Sequence, residues 1–176
     1  MTRVAVVGAG SWGTTLADLL AAKGHEVVLW AYEPEVAQDV NRRHRNDLFL
    51  PEAPLHASLT ATNDVRSAVE SAELVVSAVP SHVLRAVMRE AAAAVREGVV
   101  VVSASKGLEA DGYRRMTEVL AETLPQGTGV AALSGPTFAR EGYERQPTAV
   151  TVASADAEVA RTAQLALSAP HFRVYT

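Results

Sequence analysis

The first thirteen residues constrain this chain more than any other segment. Val4-Ala5-Val6-Val7 is short, uncharged and mostly β-branched, and it runs directly into Gly8-Ala9-Gly10-Ser11-Trp12-Gly13. A run of that kind reads as a strand buried on both faces, as in a parallel sheet. Beyond the glycines, Thr15 to Lys23 spaces Leu16, Leu19 and Leu20 along one helical face, and Gly24 follows as a helix end prefers. The pattern G-x-G-x-x-G alone marks many ordinary turns. Between a buried strand and a helix it gains a specific meaning. Gly8 permits the tight turn, Gly10 lets backbone approach a pyrophosphate, and Gly13 lets helix and strand pack closely. The free N–H groups and the positive end of the helix dipole then face the phosphates.

The rest of the chain alternates strand and helix signals. Glu26 to Trp30 reads as a second strand, and Pro34 opens a helix reaching about Arg45. Ser58 to Thr62 is a weak strand and Asp64 to Ser71 a short helix. Leu74 to Val79 is a strong strand stopped by Pro80, followed by a helix from His82 to Arg96. Val99 to Val102 is a buried strand, and residues 112 to 124 are helical up to Pro125. Gly129 to Leu133 and Ala149 to Val152 are further strands. Asp156 to Leu167 forms a last helix and Phe172 to Tyr175 a last strand. Such alternation predicts an open α/β fold: a Rossmann-type, doubly wound, mostly parallel sheet of about seven or eight strands. Asn46 to Ser58, with Pro51 and Pro54, is too short to separate domains and reads as a loop. All 176 residues are expected to form one cofactor-binding domain.

Composition removes several function classes. The 176 residues are 48% hydrophobic, enough for a sizeable core. The absence of cysteine excludes a disulfide scaffold, a thiolate zinc site and a cysteine nucleophile. A net charge of −4 argues against a general nucleic-acid binder. No apolar run approaches the roughly 20 residues of a membrane helix, and the start lacks a signal-peptide core. The histidines show no metal-like spacing. A soluble cytoplasmic protein is the expectation.

Several single residues are candidates for a site. Glu33 lies twenty positions beyond Gly13, just after the second strand, where an acid can hold a ribose 2′-hydroxyl and favour NAD. It equally suits a solvated helix start. No Arg or Lys lies between Gly24 and Gln38 to meet a 2′-phosphate. NAD and NADP both remain open as cofactors. Tyr32 is placed either to stack on an adenine or to cover the sheet edge. Lys106 follows a strand at its carboxyl end, the edge where ligands bind in such sheets, and is one of only two lysines. A compact ammonium there can place charge on a phosphate or carbonyl oxygen. Ser81 is a natural helix N-cap, and Pro80 and Ser81 flank the same edge. His82, at a helix start, is read as inert rather than as an acid/base. Arg42, Arg43 and Arg45 suit a solvated helix end.

Taken together, the segments Gly8 to Thr14, Asn46 to Pro51, Val79-Pro80-Ser81, Ser105-Lys106-Gly107-Leu108-Glu109 and Ser134-Gly135-Pro136-Thr137-Phe138-Ala139 resemble bacterial NAD(P)-dependent glycerol-3-phosphate dehydrogenase. The likeness runs from Val4 to Tyr175. It implies interconversion of sn-glycerol 3-phosphate and dihydroxyacetone phosphate for glycerophospholipid synthesis. It implies that Ser11, Trp12 and Tyr32 contact the cofactor and that Lys106 contacts both cofactor and substrate. Gly135 and Thr137 would meet substrate and Ala139 the cofactor. Phe49 stands where the family often has tyrosine. The resemblance also implies a second, helical domain bearing the acid/base lysine and most phosphate-binding residues. These residues would then bind cofactor with little or no turnover, and no catalytic residue is assigned among them. A homodimer of the full-length enzyme is compatible with the resemblance. Two other readings stand beside it: a non-catalytic NAD(P)-sensing module, and another Rossmann reductase of the 6-phosphogluconate dehydrogenase-like group.

Overall fold

The computed structural model describes residues 1–176. The first half of the fold is β1 (Arg3–Val7), α1 (Ser11–Ala22), β2 (Glu26–Trp30), α2 (Pro34–Arg43), β3 (Thr60–Thr62), α3 (Val65–Val69), β4 (Leu74–Ser77) and α4 (Ser81–Ala92). The second half is β5 (Val100–Ser103), α5 (Met116–Thr123), β6 (Gly129–Ser134), α6 (Ala139–Tyr143), β7 (Thr148–Ala153), α7 (Ala157–Leu167) and β8 (Phe172–Tyr175). All eight strands join one sheet in the order β3-β2-β1-β4-β5-β6-β7-β8. The pairs from β3 through β6 are parallel, β6 and β7 are antiparallel, and β7 and β8 are parallel. This is the doubly wound, mostly parallel sheet the alternation predicts.

Two cores cover the two faces. Strand side chains alternate, so Val4 and Val6 of β1 point to one face and Ala5 and Val7 to the other. On the first face they meet Leu16 and Leu20 of α1, Val36 and Val40 of α2, and Ala163 and Leu167 of α7. On the second they meet Val69 of α3, Leu84 and Met88 of α4, and Val119 and Leu120 of α5. Burial on both faces is why the central strands read as continuous apolar runs.

The winding direction reverses between β1 and β4. The chain passes outward from β1 to β2 and β3, then returns to place β4 on the other side of β1. The helices following β1 and β4 therefore lie on opposite faces, and a crevice opens at the carboxyl ends of these strands. Gly8 and Ala78 meet there: a Cβ on Gly8 would stand 2.9 Å from the Ala78 carbonyl carbon. At its φ of +115° Gly8 also occupies backbone space that other residues rarely adopt.

Several local expectations are corrected. Helix α1 begins at Ser11 rather than Thr15, because Gly10, extended at φ −61° and ψ 173°, already serves as the N-cap. Ser81 is not the N-cap of α4. Pro80 takes that position, its extended ψ of 144° turning the chain into the helix, and Ser81 is the first helical residue. Helix α2 stops at Arg43 because His44 adopts a left-handed conformation at φ 50°. Helix α5 starts at Met116, since Gly112 and Tyr113 both have positive φ.

Helix α6 and the reversal of β7 are not expected from the sequence, and they have one cause. α6 lies at the carboxyl edge of the sheet against α1, with the Thr15 hydroxyl donating to the Ala139 carbonyl at 3.0 Å. The chain never crosses back over the sheet, so β7 starts from the edge where β6 ended and runs antiparallel. Residues 134–139 are thereby brought beside the glycine loop. No helix is long and apolar enough to cross a membrane.

Candidate functional site

A cleft of about 940 Å³ runs along the carboxyl edge of the sheet, from the end of β2 across the β1–β4 crevice to the loops after β5 and β6. Its middle is the glycine loop. The N–H groups of Ala9, Gly10, Ser11, Trp12 and Gly13 donate to no protein acceptor; the first bond of α1 is Thr14 N–H to the Gly10 carbonyl at 2.9 Å. These amides cluster at the positive end of the α1 dipole. The three glycines have separate roles. A Cβ on Gly13 would overlap the Gly8 carbonyl oxygen, so helix and strand can meet only there without a side chain. A Cβ on Gly10 would touch no protein atom within 4 Å. Packing thus places no demand on Gly10, and the space above it belongs to the cleft. An open cradle of unpaired amides fits a pyrophosphate.

The end of the cleft beside β2 is apolar with an acidic rim. Trp30, Val83 and Val87 form its walls. Tyr32 is 78% exposed and stands edge-on to Trp30, with ring centroids 6.5 Å apart, so its outer face is open. Glu33 is the N-cap residue of α2, yet its side chain makes no capping bond and lines the cleft. Glu90 of α4 lines it as well. Of the basic cluster, Arg43 and Arg45 pair with Asp47, and none of the three arginines reaches the cleft.

The opposite end carries the positive charge. Lys106 lines the cleft with Thr137, Phe138 and Ala139. Its ammonium has no carboxylate partner and makes one long hydrogen bond, 3.5 Å to the Gly135 carbonyl. The loop bearing it is held from several sides. The Ser105 hydroxyl donates to the carbonyls of Val79 (2.6 Å) and Ser77 (3.3 Å). Gly107, at φ +109°, packs against the Ser81 side chain. Glu109 is clamped by Arg85, which also reaches Glu122. The Arg85 guanidinium holds the Glu109 carboxyl below its usual range.

Of the residues singled out in the sequence, Gly8, Gly10, Ser11, Trp12, Tyr32, Glu33, Pro80, Lys106, Thr137 and Ala139 meet in this one cleft. Gly13, Ser81 and Gly135 do not line it. Gly13 packs beneath the loop and Ser81 faces Gly107. Gly135 is wedged against β7, a Cβ there standing 3.0 Å from the Ala149 carbonyl oxygen, and it contributes its carbonyl to Lys106. His82 lines the cleft but is exposed. Sequence reasoning missed the apolar wall of Val83 and Val87, whose i, i+4 spacing signals a helix face but not which cleft it lines. It also assigned no role to Asn46, Ser105 or the Arg85–Glu109 pair.

Comparison with known proteins agrees with this geometry. Residues 3–160 match the family model described as NAD-dependent glycerol-3-phosphate dehydrogenase N-terminus. Glycerol-3-phosphate dehydrogenase [NAD(P)+] from Syntrophotalea carbinolica is 48% identical over 174 residues, covering 98% of this chain and 52% of that protein. The protein of the same name from Geobacter sp. strain M21 is 49% identical over 175 residues, again 98% and 52%. The crystal structure of glycerol-3-phosphate dehydrogenase from Coxiella burnetii superposes with a TM-score of 0.92 at 33% identity, covering 99% of this chain and 53% of that one. The chain spans about half the length of the curated relatives it matches. By sequence and by fold, the chain belongs to the NAD-dependent glycerol-3-phosphate dehydrogenase N-terminal family.

Proposed function

We propose that these residues hold NAD(H) or NADP(H) for the interconversion of sn-glycerol 3-phosphate and dihydroxyacetone phosphate. The observation that carries this reading is the row of unpaired amides from Ala9 to Trp12 at the head of α1, open to the cleft. The pyrophosphate would lie on those amides. The adenosine would lie toward Tyr32 and Val83, with Glu33 in reach of the ribose hydroxyls. The nicotinamide would lie toward Lys106 and Ala139. When bound, it supplies or accepts the hydride, and the protein's task is orientation and electrostatics.

Lys106 acts at the reacting end. Its ammonium is free of any carboxylate, so its charge is available to substrate oxygen. There it would orient the substrate and stabilise negative charge developing on the carbonyl oxygen. Thr137 offers a hydroxyl on the same side, and Gly135 positions the lysine through its carbonyl. Ser81, which does not line the cleft, acts only by backing Gly107. Ser11 and Trp12 contribute backbone amides, and the Trp12 ring packs on Phe172 with centroids 6.2 Å apart.

Calorimetric titration with NADH and NADPH tests the reading directly. Saturable binding of at least one is the expected result, and no binding of either removes it.

A further inference from the structure

Asn46 lies in the loop after α2, 37 positions from Ala9, and is 1% exposed. Its side chain is fully engaged. Nδ2 donates to the Ala9 carbonyl at 2.8 Å and to the Thr14 hydroxyl at 2.8 Å, and Oδ1 accepts from the Phe49 N–H at 3.3 Å. The Thr14 hydroxyl, itself fully buried, donates to the same Ala9 carbonyl at 3.0 Å. The amide orientation is fixed by these partners. Turned over, Oδ1 would face the Ala9 carbonyl oxygen, and the NH₂ group would face the Phe49 N–H.

The consequence follows from peptide geometry. No peptide bond here is cis, and in a planar trans peptide the N–H points opposite to the C=O. Two buried donors draw the Ala9 carbonyl toward the interior. The Gly10 N–H of the same peptide is therefore directed the other way, into the cleft. Without those donors the Ala9–Gly10 peptide is free to rotate, and its carbonyl can present a negative dipole where a phosphate must sit.

We infer that Asn46 is a positioning residue for the pyrophosphate, acting with Thr14 through the Ala9 carbonyl to aim the Gly10 amide. The inference rests on the proposed dinucleotide site and names a part of its machinery outside the glycine loop. Asn46 itself, buried beneath the loop, touches no ligand. Its effect should appear only on ligands that carry phosphate.

The test compares NADH, measured by calorimetry, with adenosine, measured by NMR titration, on the wild-type chain, Asn46→Ala and Thr14→Val. Each variant should weaken NADH about tenfold or more, a change in binding free energy of roughly 1.4 kcal/mol. Adenosine affinity should stay within about twofold. A folded variant that binds NADH as the wild type does overturns the inference, and so does equal weakening of NADH and adenosine. If Asn46→Ala does not fold, Thr14→Val decides by the same criteria. If neither folds, inorganic pyrophosphate added to the ¹⁵N-labelled wild type decides: the Gly10 amide resonance must move. Failure of the wild type to bind NADH at all removes the dinucleotide reading itself, a result distinct from NADH binding that ignores Asn46.

Discussion

Arg85 grips Glu109 with two parallel hydrogen bonds, Nε to Oε1 at 2.5 Å and Nη2 to Oε2 at 2.9 Å. The pair joins α4 to the loop that carries Lys106, and both side chains are largely covered, at 22% and 15% exposure. Bidentate pairing of this kind fixes direction as well as distance. Glu109→Gln keeps the shape but cannot receive two charge-assisted bonds. It should loosen residues 106–109 and speed their amide exchange several-fold, leaving β4 and β5 protected. Exchange rates followed by NMR check this, and unchanged rates in the loop would show that Ser105 and Gly107 suffice to hold it.

Gly10 and Gly13 separate binding from folding. A methyl group on Gly13 overlaps the Gly8 carbonyl oxygen, and Ala78 closes the same space at 3.2 Å. Gly13→Ala should cost about 3 kcal/mol of stability, the upper part of the range for overpacking. Gly10→Ala meets no protein atom, and its φ of −61° suits alanine. The loss of an N-cap glycine and the gain from a stiffer unfolded chain offset each other to within about 1 kcal/mol. Gly10→Ala should therefore unfold in urea almost as the wild type does while losing most NADH affinity. Parallel denaturation and calorimetry on the two variants test the contrast.

What was legible follows from the range of the interactions. The central strands β1, β4 and β5 stand out because parallel strands buried on both faces are short, β-branched runs between turn residues, as in Val4–Val7 and Val99–Val102. The glycine loop was legible because its three requirements fall within six residues. Helix α6 was not. Ala139-Arg140-Glu141-Gly142-Tyr143 has no helical stripe, and it forms because Gly142 fits against Thr15, 127 positions away, where a Cβ would stand 3.2 Å from the threonine methyl. The direction of β7 depends on that packing, although its alternating burial, with Val150 and Val152 inward and Thr151 outward, is the mark of a one-faced strand. Ser81 was misassigned because Pro80 supplies the N-cap geometry without a side-chain bond. Asn46 escaped for the reason α6 did: its partner Ala9 is set by the fold, and no local spacing announces it.

The N-terminus of α5 should respond to acid. Arg115 donates from Nη2 to Glu118 Oε1 and from its backbone N–H to Oε2, both at 2.8 Å. The side-chain bond, then the backbone bond, hold the Glu118 carboxyl down at about 2, from an ordinary value of 4.5. A carboxylate depressed on folding contributes stability above its unfolded pKa and loses it as pH falls through the folded one. The contribution of Glu118 is thus complete at neutral pH and fades between about 4.5 and about 2. Carboxyl titration by NMR should place Glu118 well below the ordinary 4.5, and Arg115→Ala should raise it. A midpoint near 4.5 in the wild type would show that the capping interaction is absent in solution.

Asp18 carries the opposite sign. It lies on α1 beside a small polar cleft of about 260 Å³, with His56 and Arg145 also on its wall. Burial raises its carboxyl above the usual 3.8, outweighing the His56 backbone N–H that donates to Oδ1 at 2.7 Å. A raised carboxyl favours folding most when protonated, below the unfolded value, and that advantage disappears as pH rises through the folded value. At neutral pH the charge of Asp18 is therefore a net cost. Asp18→Asn keeps an oxygen for the His56 N–H and removes the charge. It should raise the melting temperature at pH 7 by about 1–2 °C, equivalent to roughly 0.5 kcal/mol after screening by the open side of the cleft. At pH 3, where the wild-type side chain is itself mostly neutral, the two proteins should melt together. Melting curves at the two pH values settle it: a destabilised Asp18→Asn at pH 7 would mean that the attraction of Arg145 and His56 outweighs burial.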